Sequence, residues 1–297
     1  MKPPNSRRNL DLALERRFGL GQPSVRARTV MANAIVARML PPGATKGGSA
    51  IKLRYGDKGT RFTTDLDAAR AVDLQLFLES LEDALRKGWA GFTGRVIQGK
   101  PANPADVPCQ YVMQPFRVKL SYLGKPWITV PLEVGHNEIG DADEVDLLLP
   151  EDIAALFSDV GLPTPGPLPV MALHHQIAQK IHAVTEPGSQ RAHDLVDLQI
   201  IFLNERIDYP TTKATCERLF SYRKGHSWPP VIVAGKEWPT LYIAAAKGLD
   251  VLPSVENAVQ WGNATIARIE ECKISCPSYR PNVRGAAACA EREPRPS

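Results

Sequence analysis

The sequence contains no hydrophobic run of the roughly 20 residues that a membrane-spanning helix requires. Its basic beginning, with Arg7 and Arg8, leads into Asn9 and Leu10 and not into the apolar stretch of a secretory signal. These two absences argue against a membrane protein and against an exported one. We therefore expect a cytoplasmic protein with no membrane partner.

Cysteine is scarce as well, with five residues in a chain of 297. An odd number of scattered cysteines is not a disulfide framework. Cys272 and Cys276 stand four residues apart, but no second pair and no neighbouring histidine completes the ligand set of a structural zinc site. We expect reduced thiols, in agreement with a cytoplasmic protein.

Charge of one sign is in small excess only, because 36 Lys and Arg residues against 32 Asp and Glu residues give a net charge of +4. That excess does not establish nucleic-acid binding, since affinity depends on where the charges cluster. With 43% hydrophobic and 23% charged residues, the composition is that of a folded globular protein. The length allows one large domain or two lobes with a sizeable core.

Hydrophobic periodicity divides the chain into a mixed part and a helical part. Helices are predicted at 9–17, 25–39, 72–87, 172–185, 194–203, 213–222 and 255–271. Strands are predicted at 116–122 and 127–134, joined as a hairpin. Alternating prolines from Pro163 to Pro169 favour a stiff connector between two lobes. We therefore predict an α/β (α+β) lobe at 1–165, a helical lobe at 166–276 and a disordered tail at 277–297.

Paired carboxylates carry the strongest chemical signal. Asp65 and Asp67 are two residues apart, so on a strand both side chains project from the same face. Like charges held together repel unless they share a cation, and Mg²⁺ takes carboxylate oxygens while leaving positions open for substrate phosphates. Glu133 ends a predicted strand on the face opposite its apolar stripe, which makes it the best-placed candidate for a third ligand. By itself, an Asp-x-Asp is also a common feature of solvent-exposed turns.

A glycine-rich turn precedes these acids at Lys46, Gly47, Gly48 and Ser49. Such a turn lets backbone N–H groups and a hydroxyl approach a phosphate closely, and it opens a helix or a strand next to the acids. Taken alone, a Gly-Gly-Ser is usually no more than a turn. In combination, the turn and the acids resemble the nucleotidyltransferase fold of the DNA polymerase β superfamily, in which Gly-Gly/Ser precedes Asp-x-Asp.

Two runs in the second half narrow the resemblance to one branch of that superfamily. Lys180 is followed by His182, and Asp194 opens the run Asp-Leu-Val-Asp. With Thr63 ahead of the paired acids, these features resemble the AbiEii-type nucleotidyltransferase toxins of bacterial abortive-infection and toxin–antitoxin systems, including the mycobacterial MenT group. The resemblance covers about residues 30–205. It implies a polymerase β-type nucleotidyltransferase fold with a mixed sheet, followed by a helical C-terminal lobe.

The resemblance also implies a role for each matching residue. Asp65 and Asp67 would be catalytic and, with Glu133, would hold Mg²⁺. Lys180 would bind nucleotide phosphates, and Asp194 would anchor Lys180 or the nucleotide. The nucleotide-binding set would comprise Lys46, Gly47, Gly48, Ser49 and Thr63, where Thr replaces the usual Ser of the family.

The implied reaction transfers NMP from an NTP to the 3′ end of tRNA, which would block aminoacylation and translation. A cognate antitoxin would be the protein partner. Two alternatives stay open: transfer to a hydroxyl of a protein or small molecule, and a non-catalytic NTP-binding regulatory module. Candidates for contacts with an RNA backbone are Arg54, Arg61, Arg70 and Arg95.

Several residues also have structural explanations. Lys180 lies off the apolar stripe of its helix, as a solvated lysine would, and Asp194 near a helix start would stabilise the helix dipole. The acidic residues between 141 and 146 indicate either a metal site or, in preference, a solvated loop. Four histidines lack the spacing of a zinc site and are interpreted as polar or surface residues: His174, His175, His182 and His193.

Overall fold

A computed structural model of the chain describes residues 2–101 and 112–272. Ten helices form in these ranges: α1 (Arg7–Phe18), α2 (Gln22–Met39), α3 (Gly47–Tyr55), α4 (Leu74–Lys87), α5 (Glu151–Ser158), α6 (Leu173–Thr185), α7 (His193–Asn204), α8 (Tyr209–Arg223), α9 (Trp238–Ala246) and α10 (Val255–Glu271). The strands there are β1 (Gly43–Lys46), β2 (Leu66–Arg70), β3 (Phe92–Gln98), β4 (Gln114–Tyr122), β5 (Lys125–Gly135), β6 (Val145–Leu148) and β7 (Leu168–Met171).

The strands form one mixed sheet in the order β3-β4-β5-β2-β1-β7-β6. The pairs β2–β5 and β1–β7 are parallel and the remaining pairs are antiparallel. The predicted α/β class with a mixed sheet is therefore confirmed. The predicted hairpin is also present, because β4 and β5 pair directly around a turn in which Leu123 and Gly124 both have positive φ.

Helix boundaries follow from capping chemistry as well as from periodicity. Ser6, Asp73, Asp208 and Ser254 each accept a backbone N–H of the first turn, at the starts of α1, α4, α8 and α10. No helix in the described ranges is both long enough and apolar enough to cross a membrane.

The segment after the glycine turn, which the sequence left open between strand and helix, is the helix α3. Gly47 has φ +64°, so the chain can turn sharply from β1 into the helix. The consecutive residues Ser49 to Leu53 are all buried, because α3 packs between the sheet and α7. A helix buried on all sides shows no amphipathic stripe, which explains why periodicity did not identify it.

Two hydrophobic clusters account for most of the buried apolar side chains. The larger one joins α1, α2, α4 and α5 to the sheet, and the second lies mainly among α6 to α10 and includes Ile51 of α3. β7 lies after residue 165 and still belongs to the sheet, so the sheet continues past the predicted boundary. The division into lobes at 165/166 stays a prediction, and the tail at 277–297, like Cys276, lies outside the described residues.

Gly88 and Gly188 allow a matched test of packing at the end of α4. Both have nearly equal positive φ, +73° and +74°, but a Cβ at Gly88 would overlap the backbone oxygen of Phe92, whereas Gly188 faces open space. We expect Gly188→Ala to lower the free energy of unfolding by about 1–2 kcal/mol through backbone strain alone. Gly88→Ala should lose a further ~1–3 kcal/mol from overpacking. Urea denaturation measures both; equal losses would contradict the predicted overlap.

Candidate active site

Three charged side chains form a row across the middle of the sheet. Lys46 at the end of β1 pairs with Asp67 of β2, and Asp67 pairs in parallel register with Glu133 of β5. Directly paired residues project from the same face of a sheet. The backbone register therefore places a lysine and two carboxylates side by side. We call Lys46, Asp67 and Glu133 together the acidic row.

A cavity of about 200 Å³ opens over this row. Its walls come from the sheet, from α3, from α6 and from the chain around α7 and α8. The lining residues are Lys46, Gly47, Asp67, Met113, Glu133, Met171, Gln176, Gln179, Lys180, Ala183, Arg191 and Arg223. The fold thus brings the predicted Lys46, Gly47, Asp67, Glu133 and Lys180 to one cavity.

Gly47 permits a close approach between the turn and the acidic row. A Cβ at this position would overlap Oδ2 of Asp67 and stand 2.8 Å from its Cγ. The positive φ of Gly47 is a second reason for glycine here. Because α3 begins at Gly47 without a side-chain cap, backbone N–H groups of its first turn lie next to Asp67 and are suited to binding an anion.

The pKa of Asp67 is raised from 3.8 to about 6. Burial is the main cause, and the nearby carboxylates of Glu133 and Asp65 add to it, while Lys46 and Lys180 act in the opposite direction. The protein therefore holds a half-buried carboxylate in a position that disfavours its charge. Such a group gains most from a bound cation.

Asp65 lies just before β2 and its side chain is exposed. Its carboxylate accepts the Thr64 hydroxyl at 2.9 Å, and its backbone carbonyl accepts the Ser49 hydroxyl at 2.5 Å. The strand prediction for Asp65 is therefore off by one residue, because β2 begins at Leu66. In the part of the chain that the structure describes, the carboxylate oxygens of Asp65, Asp67 and Glu133 do not all lie within 4.8 Å of one another.

Other predicted nucleotide-binding residues lie behind the cavity wall. Ser49 is buried and donates its hydroxyl to the backbone carbonyl of Asp65. Gly48 leaves room for Arg61, since a Cβ there would be 2.8 Å from a guanidinium nitrogen. Thr63 is half-buried and does not line the cavity. These residues support the turn in this structure, and their contact with nucleotide stays a prediction.

A buried ion network holds Lys180 on the opposite wall. Its Nζ donates to Asp194 at 2.9 Å and to Asp197 at 2.6 Å. Arg61 makes two hydrogen bonds to Asp197, at 3.0 and 3.1 Å, and Arg191 donates to Asp194 at 2.6 Å. Both aspartates are fully buried and Lys180 is 5% exposed. Lys180 is therefore a fixed member of the wall and not a solvated lysine.

The network leaves an excess of positive charge. It contains two carboxylates and three cations, so its net charge is +1. Although burial favours the neutral acid, Lys180 and Arg191 hold the pKa of Asp194 well below its usual range. Burial likewise opposes the charged form of Arg61, but Asp197 raises its pKa. Asp194 and Arg61 therefore stay charged. The excess positive charge reaches the cavity through Lys180 and Arg191, which line it.

Several residues of the site were not predicted from the sequence. Arg191 and Arg223 line the cavity, and Arg61 supports it from behind. Arg191 stands three residues before Asp194, at the start of a run that matches the family, but no role was predicted for it from the sequence. The roles of all three arginines follow from their folded positions. The suggested RNA contact through Arg61 is unsupported, because its guanidinium is already paired with Asp197.

The acidic segment at 141–146 is also different from the predicted solvated loop. Asp141 is fully buried and accepts Gln179 at 2.6 Å and the Glu138 N–H at 2.7 Å. Asp146 pairs with the buried Arg54 at 2.6 Å, so Arg54 is not available to an RNA backbone either. The prediction of a solvated loop was therefore wrong for Asp141, which is buried and binds α6 through Gln179. Asp146 lies in β6 and pairs with Arg54 of α3, but 43% of its side chain is exposed.

The raised pKa of Asp67 predicts a pH-dependent stability in the presence of a chelator. An acid whose pKa rises on folding destabilises the folded state wherever it is ionised. Asp67→Asn should therefore raise the free energy of unfolding by about 1–2 kcal/mol at pH 8, after allowance for solvent screening. The gain should decrease between pH 6 and pH 4 and vanish below the ordinary value of 3.8. Asp250→Asn, at an exposed position, is the control, and an equal gain there would contradict this account.

Removal of Asp197 should destabilise the folded protein strongly. Asp197→Ala leaves Lys180 and Arg61 without a shared acceptor in a buried place, and we expect a loss of about 3–5 kcal/mol in the free energy of unfolding. The matched control is Asp83→Ala, which removes an exposed pair with Arg86. Chemical denaturation compares the two variants. A loss no larger than that of the control would show that the network does not hold the wall.

Comparison with known proteins adds an independent line of evidence. The family model of the nucleotidyl transferase AbiEii toxin, from type IV toxin–antitoxin systems, matches residues 44–261. The fold is similar to that of MenT4, a nucleotidyltransferase toxin from Mycobacterium tuberculosis H37Rv, with a TM-score of 0.51, 17% identity and coverage of 87% of this chain and 98% of that one. JHP933 from Helicobacter pylori matches with a TM-score of 0.43, 17% identity and coverage of 85% and 94%. No curated protein sequence matches the chain.

The family match covers more than half of the chain and spans all residues of the acidic row and of the ion network. It confirms the expectation of a nucleotidyltransferase. It also implies an NTP as a substrate and an antitoxin as a partner. The chain belongs to the AbiEii family of nucleotidyltransferase toxins from type IV toxin–antitoxin systems.

Proposed function

We propose that the cavity binds an NTP together with Mg²⁺ and that the enzyme transfers the NMP group to the 3′ end of tRNA. The observation that carries the proposal is the row of Lys46, Asp67 and Glu133 facing the cations Lys180 and Arg191. Carboxylates on one wall and cations on the other suit a triphosphate that carries a divalent cation.

The donor set fits Mg²⁺. Asp67 and Glu133 offer carboxylate oxygens on adjacent strands, and Asp65 lies close enough to raise the pKa of Asp67. Oxygen donors with positions left for water and phosphate are what Mg²⁺ prefers. In the proposed site, Asp65, Asp67 and Glu133 hold the ion. When bound, Mg²⁺ would supply Lewis acidity toward the phosphates and the attacking hydroxyl.

The cations of the chain position the triphosphate. Lys46 and Lys180 approach the cavity from opposite walls and bind phosphate oxygens. α3 begins at Gly47, which lines the cavity, and the uncapped backbone N–H groups of its first turn would bind the same phosphates. Such positioning, with the charge of pyrophosphate balanced as it leaves, is the main requirement of nucleotidyl transfer.

Asp194 acts through Lys180. Its carboxylate is fully buried and holds Nζ of Lys180, so it fixes the direction from which the ammonium reaches the cavity. Thr63, placed two residues before Asp65, would contribute a hydroxyl near the metal ligands. Asp194 is therefore a positioning residue in the proposed reaction.

The 3′ end of tRNA is proposed as the acceptor on the basis of the family resemblance. Nucleotides added there would block aminoacylation and so stop translation. The cognate antitoxin would counter this effect.

Incubation of total tRNA with each labelled NTP and Mg²⁺ tests the proposal. We expect label on tRNA with the native protein, and a decrease of about a hundredfold or more for Asp67→Asn and for Lys180→Met. Asp250→Asn, on the exposed surface, should retain the native rate. Chelation of the metal should abolish transfer in every case.

Three outcomes would contradict the proposal in different ways. If no label enters RNA and Asp65→Ala has the same effect as the native protein, the assignment of the active site is wrong. Label on protein, or on no macromolecule, would move the acceptor to a protein or small-molecule hydroxyl. Full activity in the presence of a chelator would show that the reaction does not require a metal ion.

A further inference from the structure

A second group of metal-binding side chains lies at the sheet edge beside α6. Glu144 directly precedes β6, and His174 and His175 stand in the first turn of α6. The two segments are tied by a backbone hydrogen bond from Ala172 N–H to the Glu144 carbonyl at 3.0 Å. None of these three side chains lines the cavity over the acidic row.

The donor atoms of this group converge. His174 Nε2 is 3.1 Å from one carboxylate oxygen of Glu144, and His175 Nε2 is 3.9 Å from the other. All three ligand atoms lie within 4.8 Å of one another. In a tetrahedral zinc site with bonds of ~2.0–2.1 Å, neighbouring donors stand roughly 3.3 Å apart. The two distances from the histidine nitrogens to the Glu144 oxygens, 3.1 and 3.9 Å, are close to that spacing.

His175 gives an independent indication of a ligand. The residue is 1% exposed, and its Nε2 has no hydrogen-bond partner. A buried polar atom without a partner costs free energy, which a bound ligand would recover. The unpartnered nitrogen is the atom directed at Glu144. A metal ion bound between them would satisfy it.

We propose that Glu144, His174 and His175 bind one Zn²⁺ ion at a site separate from the catalytic cavity. Two imidazole nitrogens and one carboxylate oxygen form a donor set that Zn²⁺ takes, whereas Mg²⁺ prefers oxygen alone. Glu144 is exposed, so an ion can reach the group from solvent. The acids Asp146 and Asp208 add negative charge near His174, while Arg218 near His175 opposes a cation.

The ion would fasten the start of α6 to the β6–β7 edge. α6 carries Gln176, Gln179 and Lys180 into the cavity wall within two turns of the histidines. A link at Glu144 therefore stabilises the helix that positions Lys180. The ion acts on the fold at this place and does not touch the substrate.

Zinc titration of the chelator-treated full chain tests the site. Calorimetry with ZnCl₂ should show binding of about one ion per chain, and Co²⁺ should give the visible absorption of a four-coordinate complex. His174→Ala and His175→Ala should lose both signals and the rise in melting temperature on zinc addition. His175 is buried, so its replacement also disturbs the packing of α6; Glu144→Ala, at an exposed position, therefore provides the second test.

Matched controls separate this site from the catalytic one. Asp143→Ala removes an exposed acid beside Glu144, and His226→Ala removes a histidine elsewhere; both should keep the zinc signals. Asp67→Asn should also keep them, because its carboxylate lies in the cavity. Zinc binding that survives Glu144→Ala and His174→Ala, or that disappears in Asp67→Asn alone, would overturn the proposal. Since no step measures nucleotide transfer, its failure would leave the proposed function untouched.

Discussion

Asp197 is the point on which the arrangement of the site depends. Its two carboxylate oxygens accept Lys180 from α6 and Arg61 from the chain between α3 and β2. One buried acid thus connects the part of the chain that carries the glycine turn with the helical part. Loss of either cation would leave the buried carboxylate of Asp197 without a partner, which is strongly destabilising. The need for both cations therefore holds α6 and α7 against the sheet side of the cavity.

The acidic row shows the opposite energetic choice. Asp67 is held against Gly47, where there is no space for even a methyl group, and beside the carboxylate of Glu133. Lys46 and Lys180 offset only part of the resulting penalty on its charge. A stable fold would avoid this placement, and the raised pKa of Asp67 is its cost. Sites that bind charged ligands often keep such disfavoured groups, because the ligand supplies the missing interaction.

Local signals predicted much of the fold. Amphipathic helices such as α4 and the β4–β5 hairpin follow from periodicity and turn residues, and the pairing of Asp67 with Glu133 agrees with the selection of these acids from sequence. Helix α3 gave no periodic signal because its middle is buried all round. Asp197 closes the Asp-Leu-Val-Asp run that carries the family resemblance, but its contacts with Lys180 and Arg61 join distant parts of the chain and are encoded in no local pattern. The place of Arg191 in the cavity wall likewise became visible only in the fold.

The group of Glu144, His174 and His175 also could not be identified from the sequence. Spacing along the chain argued against zinc, since His174 and His175 are adjacent and have no partner on their own helix. The third donor, Glu144, is supplied by the strand edge some thirty residues earlier, where the sequence favoured a solvated acidic loop over a metal site. Antiparallel pairing of β6 with β7, and the short link from β7 into α6, bring the two together. A ligand set built across a sheet edge is a property of topology, so its recognition required the fold.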